Sequence, residues 1–254
     1  MSEMTRIIMH GCNGKMGQVI SDIVSEDDGA VIVAGIDINP VTLRDYPVFA
    51  NIKDCDVEAD VIIDFAAPAA IPGLIEYSVT NNTPVVICTT GLSDEHLKMI
   101  DEASKKVAIL KSANMSLGVN TILKLVNQIS ALLAEANFDI EIVEKHHNQK
   151  VDAPSGTALA IADSINAALN NEYSYKYDRS ADRVKRPKKE IGISAVRGGT
   201  IVGEHEVIYA GTDEVIEIKH TAYSKAIFAK GAVSAAKFLN KKEAGMYDMS
   251  DVIG

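Results

Sequence analysis

Over residues 1–113, short runs of aliphatic and β-branched residues alternate with stretches of helical periodicity, and this alternation limits the fold more than any other feature. "RIIMHG" predicts a strand, and "KMGQVISDIVSE" a helix with Met16, Val19, Ile20, Ile23 and Val24 on one face. Further strands are expected at "AVIVAGID", "DVIIDFA", "PVVICTT" and "VAILKSAN", with helices through "AAIPGLIEYSVTNN" and "SDEHLKMIDEASKK". Ser93, Asp94 and Glu95 cap and charge the start of the second of these helices, but His96 at the third position leaves the capping box incomplete. Near-continuous apolar strands with intervening helices imply a parallel sheet covered on both faces. The expected fold class is α/β, a Rossmann-like doubly wound parallel sheet.

After residue 114 the pattern changes. "VNTILKLVNQISALLAEA" is a long amphipathic helix, and "FDIEIVEKHH" alternates with period two. A helix from Thr157 and three strand-like segments, "IGISAVRG", "TIVGEHEVIYAG" and "DEVIEIKHTA", follow, with turns at Gly198-Gly199 and Gly211-Thr212-Asp213. These features predict an α+β domain with an open mixed sheet whose flat face is free for oligomer contacts. The last helix, "AIFAKGAVSAAKFL", is expected to return to the first domain. The predicted division is a dinucleotide-binding domain over 1–113 plus 227–254, and a substrate-binding and oligomerisation domain over 114–226.

A formal net charge of −10 argues against nucleic-acid and anionic-membrane partners, which need a basic face. The basic run Arg183, Lys185, Arg186, Lys188, Lys189 around Pro187 reads as a solvated loop. No uninterrupted apolar stretch reaches the roughly 18 residues of a membrane span, and the short apolar run before His10 does not suggest a signal peptide. Cys12, Cys55 and Cys88 are scattered without CxxC spacing, which fits a reducing, cytoplasmic setting. Cys88 reads first as a small buried hydrophobe, with a nucleophilic role as its alternative.

Glycines 11, 14 and 17 lie between the first strand and the first helix, spaced G-x-x-G-x-x-G. Such a loop gives a tight turn, close backbone approach to a pyrophosphate and a helix N-terminus aimed at negative charge. Asp37 ends the second strand, where an acidic side chain can accept from a ribose 2′-hydroxyl, and no arginine follows it directly. NADH is therefore expected to be used well. The strand-end loops Cys88-Thr89-Thr90-Gly91 and Ala113-Asn114-Met115-Ser116 offer amides and small polar groups to the nicotinamide half.

"EKHHNQKVDAPSGTA", residues 144–158, gathers two histidines, a lysine and a helix start. Adjacent strand residues point to opposite faces, so His146 and His147 are poorly placed to share a metal ion, and no metal motif is present. Lys150 with the amides and hydroxyl of Gly156 and Thr157 suits a dicarboxylate substrate. A histidine and a lysine here can also donate a proton to a centre that receives hydride.

Together with "GCNGKMG", "DFAAP", "CTTG", "SANMSLGVN" and "RGGTIVGEHEV", this segment resembles the 4-hydroxy-tetrahydrodipicolinate reductase (dihydrodipicolinate reductase) family over nearly the whole chain. The resemblance implies an NADH- or NADPH-dependent reductase of a cyclic imine dicarboxylate in the diaminopimelate route to lysine, cytoplasmic, homotetrameric and free of metal. It implies His146 as proton donor and acceptor, Lys150 as proton donor, and His147, Gly156 and Thr157 as substrate contacts. Nucleotide contacts implied are Gly11, Cys12, Asn13, Gly14, Lys15, Met16, Asp37, Cys88, Thr89, Thr90, Ala113, Asn114, Met115 and Ser116. Ala66 and Met115 depart from the family's common Thr or Ser and Phe. Two rival readings are a semialdehyde dehydrogenase, which needs a nucleophilic cysteine, and an inactive nucleotide-sensing protein.

Overall fold

In the computed structural model, residues 4–112 and 114–254 are described. The chain first alternates strand and helix: β1 (Thr5–His10), α1 (Lys15–Ser25), β2 (Ala30–Ile36), β3 (Val48–Phe49), β4 (Val61–Asp64), α2 (Ile71–Asn81), β5 (Val85–Ile87), α3 (Asp94–Ser104) and β6 (Ala108–Lys111). A second series follows: α4 (Leu117–Glu135), β7 (Asp139–His146), α5 (Gly156–Ala168), β8 (Ser174–Lys176), β9 (Glu190–Arg197), β10 (Gly203–Ala210) and β11 (Val215–Ala222). The chain ends with α6 (Ala226–Leu239), β12 (Gly245–Tyr247) and α7 (Met249–Ile253). It divides into two compact units, Met1–Leu117 with Ala226–Gly254, and Gly118–Lys225.

The first unit is a seven-stranded sheet in the order β12-β6-β5-β4-β1-β2-β3, with every pairing parallel. Its strands are apolar at successive positions because both faces are covered. Ile7, Met9, Val61 and Ile63 pack with Ile20 and Val24 of α1 and the small residues Ala229, Ala232 and Ala236 of α6. Ile8, Ile62, Val85 and Ile109 face the other way, onto Leu74 and Ile75 of α2 and Ile100 of α3. The doubly wound α/β expectation is met, and α6 closes this unit.

Two local features differ from the sequence reading. The capping box of α3 is complete: His96 N–H donates to Ser93 Oγ at 3.2 Å, and the Ser93 amide reaches His96 Nδ1 at 3.4 Å. A ring nitrogen takes the place of the usual carboxylate. The short elements β3, β8, β12 and α7 were also not anticipated, since two to five residues are too few to display a period.

The second unit holds a five-stranded sheet in the order β11-β10-β7-β9-β8. β7 runs antiparallel to β10 and parallel to β9, so the sheet is mixed. Ile140, Ile142, Ile191, Ile193, Val207 and Tyr209 share its inner face with Ile122 and Val126 of α4 and Ile161 and Ile165 of α5. Helix α4 has the length and hydropathy of a membrane span, but Ile122 and Val126 lie in this core and its Ser130 hydroxyl pairs with the Tyr209 hydroxyl at 2.7 Å. It is placed as a core helix.

Candidate active site

In the first unit the glycine loop sits where the sheet order reverses, between β1 and β4. Gly11 has φ +83°, and a Cβ there would lie 2.7 Å from the Phe65 carbonyl oxygen. At Gly17 a Cβ would lie 2.2 Å from the Gly11 oxygen. Both positions therefore demand glycine. Gly14 is the N-cap of α1 and offers no side-chain cap, and the first turn carries no acidic residue. The start of α1 is thus left for an anion to satisfy.

Asp37 holds the loop in place, accepting from the Asn13 amide at 3.0 Å and from the Asn39 amide at 3.0 Å. The Asn13 side chain ties the loop to the carbonyls of Asn39 and Val41. Lys15 is exposed, Met16 packs against the core edge, and Cys12 is fully buried.

Beside the loop a buried polar chain joins three strand ends. Asp64 Oδ1 lies 2.8 Å from His10 Nδ1 and accepts from the Ala66 amide, while Oδ2 accepts from the Thr89 hydroxyl at 2.7 Å. This network fixes the turns after β1, β4 and β5. Cys88 precedes it and Thr90 is exposed. In the 114–116 loop Asn114 Oδ1 accepts from the Ser116 amide at 2.8 Å, and the Met115 side chain lies in the core. The loop's backbone, not this side chain, is what it can present to a ligand. Ala113 lies outside the described residues. The glycine cradle, the uncapped helix start and Asp37 fit a dinucleotide.

Burial with the charge of Asp64 pushes the Cys88 thiol well above its ordinary value, and burial with Asp37 raises Cys12 to about 11. Cys55 is raised by burial as well. None of the three sits where a thiolate nucleophile would form.

The second unit assembles a polar cluster at one end of its apolar sheet face. Period two places Glu144 and His146 on the same face as Ile140 and Ile142. The pairing of β7 with β9 sets Arg197 beside His146, and that with β10 sets His205 beside Glu144. Glu144 Oε2 lies 2.6 Å from His146 Nδ1, and both Arg197 Nη atoms donate to the carboxylate at 2.7 Å. The Ser155 amide donates to Oε1 at 3.0 Å, and the Ser155 hydroxyl lies 3.0 Å from His205 Nε2. The rings of His146 and His205 meet edge-on with centroids 5.1 Å apart. Burial alone would raise the Glu144 carboxyl, but bonds from Arg197, His146 and the Ser155 amide outweigh it and hold the group below the usual carboxylate range.

Ser155 caps α5 through its side chain, so Gly156 and Thr157 form the first turn. Lys150 Nζ pairs with Asp152 at 2.8 Å just before the cap of α5 at Ser155, and this pairing holds the Asp152 carboxyl below its ordinary value. A lysine that holds an exposed carboxylate beside a helix start forms a ready anion site. His147 follows the end of β7, and its carbonyl accepts from the Lys150 amide. The residues from His146 to Thr157 are thus brought together. Glu144, Arg197, Ser155 and His205 join them; the sequence reads Ser155 only as part of the helix start and assigns no role to the other three. Strand parity was the available signal, since each of the three strand residues falls at an inward position of its own strand.

Among the described residues no group of three or more His, Cys, Asp or Glu could hold a metal ion. The family described as "Dihydrodipicolinate reductase, N-terminus" matches residues 5–115, and "Dihydrodipicolinate reductase, C-terminus" matches residues 118–253. A 4-hydroxy-tetrahydrodipicolinate reductase of Clostridium novyi (strain NT) is 53% identical over 250 residues, covering 98% of both chains. Its counterpart in Caldanaerobacter subterraneus subsp. tengcongensis is 52% identical over 250 residues, again covering 98% of both. Among solved structures, dipicolinate-bound dihydrodipicolinate reductase from Paenisporosarcina sp. TG-14 superposes with a TM-score of 0.81 at 24% identity, covering 99% of this chain and 100% of that one.

Proposed function

The chain belongs to the dihydrodipicolinate reductase family, and from that premise we propose which of its residues carry the reaction. The activity is the nicotinamide-dependent reduction of 4-hydroxy-tetrahydrodipicolinate in the diaminopimelate route of lysine biosynthesis. His146 acts as proton donor and acceptor, and Lys150 as proton donor. His147, the Gly156 amide and the Thr157 hydroxyl hold the substrate carboxylates. The observation that carries this reading is the His146 imidazole anchored beside the start of α5, with Lys150 held just before that start by its pairing with Asp152.

The first unit holds the nucleotide through the 11–16 loop, Asp37 and the loops at 88–90 and 113–116. Bound nicotinamide supplies the hydride. The Asp37 carboxylate accepts from the adenosine ribose, which supports good use of NADH. A Michaelis constant for NADPH far below that for NADH would overturn this preference.

The protein works as a cytoplasmic homotetramer in this reading. Three free cysteines support the compartment, and exposed Val196 and Val215 on the outer face of the mixed sheet support the assembly. Analytical ultracentrifugation tests it, and a monomer at micromolar concentration would refute it.

The decisive assay follows NADH oxidation with substrate supplied by a coupled dihydrodipicolinate synthase, in the parent, His146→Ala and Lys150→Ala. Each variant should lose about 10²–10⁴-fold in turnover, the usual contribution of proton transfer. NADH binding, read by fluorescence, should be retained. Full turnover in either variant removes that residue from the mechanism.

A further inference from the structure

Glu144 is wholly buried at an inward position of β7, and every group that reaches its carboxylate can donate. Oε1 takes the Ser155 amide and Arg197 Nη2, while Oε2 takes Arg197 Nη1 and faces His146 Nδ1 at 2.6 Å. An ionised carboxylate only accepts, so Nδ1 of His146 must carry a hydrogen. Nε2 is then the nitrogen that offers a lone pair when the ring is neutral and a proton when it is charged. The chain keeps room at Nε2, since a Cβ on Gly203 would lie 3.0 Å away. The same carboxylate is bonded to the amide of Ser155, the residue directly before Gly156 and Thr157. Arg197 also donates to the Asp152 carbonyl at 2.5 Å, which ties down the intervening loop.

We infer that Glu144, braced by the Arg197 fork, is a positioning residue that fixes the Nδ1–H tautomer of His146 and locks its ring to the start of α5. The inference rests on the proposed role of His146. A glutamine has the same shape but cannot serve: its amide nitrogen would face the Ser155 amide and Arg197 Nη2 at the Oε1 position, or Arg197 Nη1 at the Oε2 position. Turned toward His146, it would impose the opposite tautomer and leave Nε2 as a fixed donor. Lys150, Asp152 and His205 also face this site, and none of them bonds Nδ1.

The first test needs no variant. Nitrogen-15 NMR of histidine-labelled protein, at a pH where His146 is neutral, should show the Nδ1–H form, and an Nε2–H form would overturn the inference. Next, Glu144→Gln should lower kcat about 10²-fold, within the range that proton transfer contributes. The His146 signal should change tautomer or split, with NADH affinity unchanged. Parent kcat with an unchanged His146 signal would overturn the inference. Should that variant fail to fold, Arg197→Lys, which keeps the charge and loses the fork, takes its place: kcat should fall with the Nδ1–H form retained, and parent kcat or an Nε2–H form would overturn the inference.

A cycle separates this inference from the assignment beneath it. Placed on His146→Ala, Glu144→Gln should cause no further loss of kcat, because it acts through the ring. A full additional loss would overturn the positioning role. Full turnover in His146→Ala alone would instead sink the catalytic assignment, while the NMR result would still report whether Glu144 sets the tautomer.

Discussion

The Nε2 atom of His146 lies 3.0 Å from the point where a side chain on Gly203 would begin. Gly203 opens β10, which runs antiparallel to β7, with Glu204 opposite Lys145. The imidazole cannot swing clear of an added methyl, because its Nδ1 is held by Glu144. Gly203→Ala should therefore lower kcat by about tenfold or more, as small misplacements of a reacting group do. NADH affinity should stay at the parent value. Steady-state kinetics paired with a binding titration checks this, and parent kcat would mean the ring is free to move.

The close approach at Gly17 makes a contrasting case. A Cβ there would meet the Gly11 oxygen at 2.2 Å and the Cys12 oxygen at 2.6 Å, both backbone atoms. Gly17→Ala should cost about 1–3 kcal/mol of stability, as overpacking does, and weaken NADH binding. Gly73 in α2 has nothing within 4 Å of its Cβ position. Gly73→Ala should be neutral or stabilising by up to about 1 kcal/mol. Denaturant melts and NADH titrations on the pair decide it, and equal effects would refute the argument from the loop.

Acid stability should depend on His205. Burial, reinforced by His146 and opposed by Glu144, pushes this histidine from 6.5 down to about 4. Its Nδ1 has no partner among the described residues, so a proton there would be both buried and unpaired. Above pH 6.5 the group is neutral folded or unfolded, and its full contribution is present. Between about 6.5 and 4 only the unfolded chain takes up the proton, so stability falls with pH, by about 3 kcal/mol over the window. His220, also lowered by burial, acts in the same direction. Urea unfolding at pH 7 and pH 4.5 should show this loss, reduced in His205→Gln. An identical loss in that variant would assign it elsewhere.

Thiol reagents should leave the enzyme active. Cys12, Cys55 and Cys88 are all raised above the ordinary thiol value, chiefly by burial, so little thiolate exists at neutral pH. Iodoacetamide at pH 7 should spare turnover over a time that consumes an exposed thiol. Rapid loss matching the labelling of one cysteine would revive a nucleophilic role.

Much of the first unit could be read directly. Its strands and helices are long enough to show their periods, and Gly11 and Gly17 prove sterically indispensable where the turn was expected. The His96 cap was misread because a histidine nitrogen can accept as a carboxylate does, a choice set by ring orientation rather than residue type. His10 and Asp64 escaped notice because each looks like an ordinary strand end. Only their adjacency in neighbouring parallel strands makes them a buried pair.

The sequence by itself determined the doubly wound unit, the glycine loop, the inward parity of Glu144 and His146, and the spacing of Lys150 from the helix start at Ser155. All of these are local, set by side-chain period, turn sterics and capping within a few residues. Only the tertiary structure decided that Arg197 and His205 complete the site, from 53 and 50 residues away from Glu144 and Ser155 respectively. Strand order and register place them there. Those are fixed by how the whole inner face of the mixed sheet packs, and no local pattern encodes them.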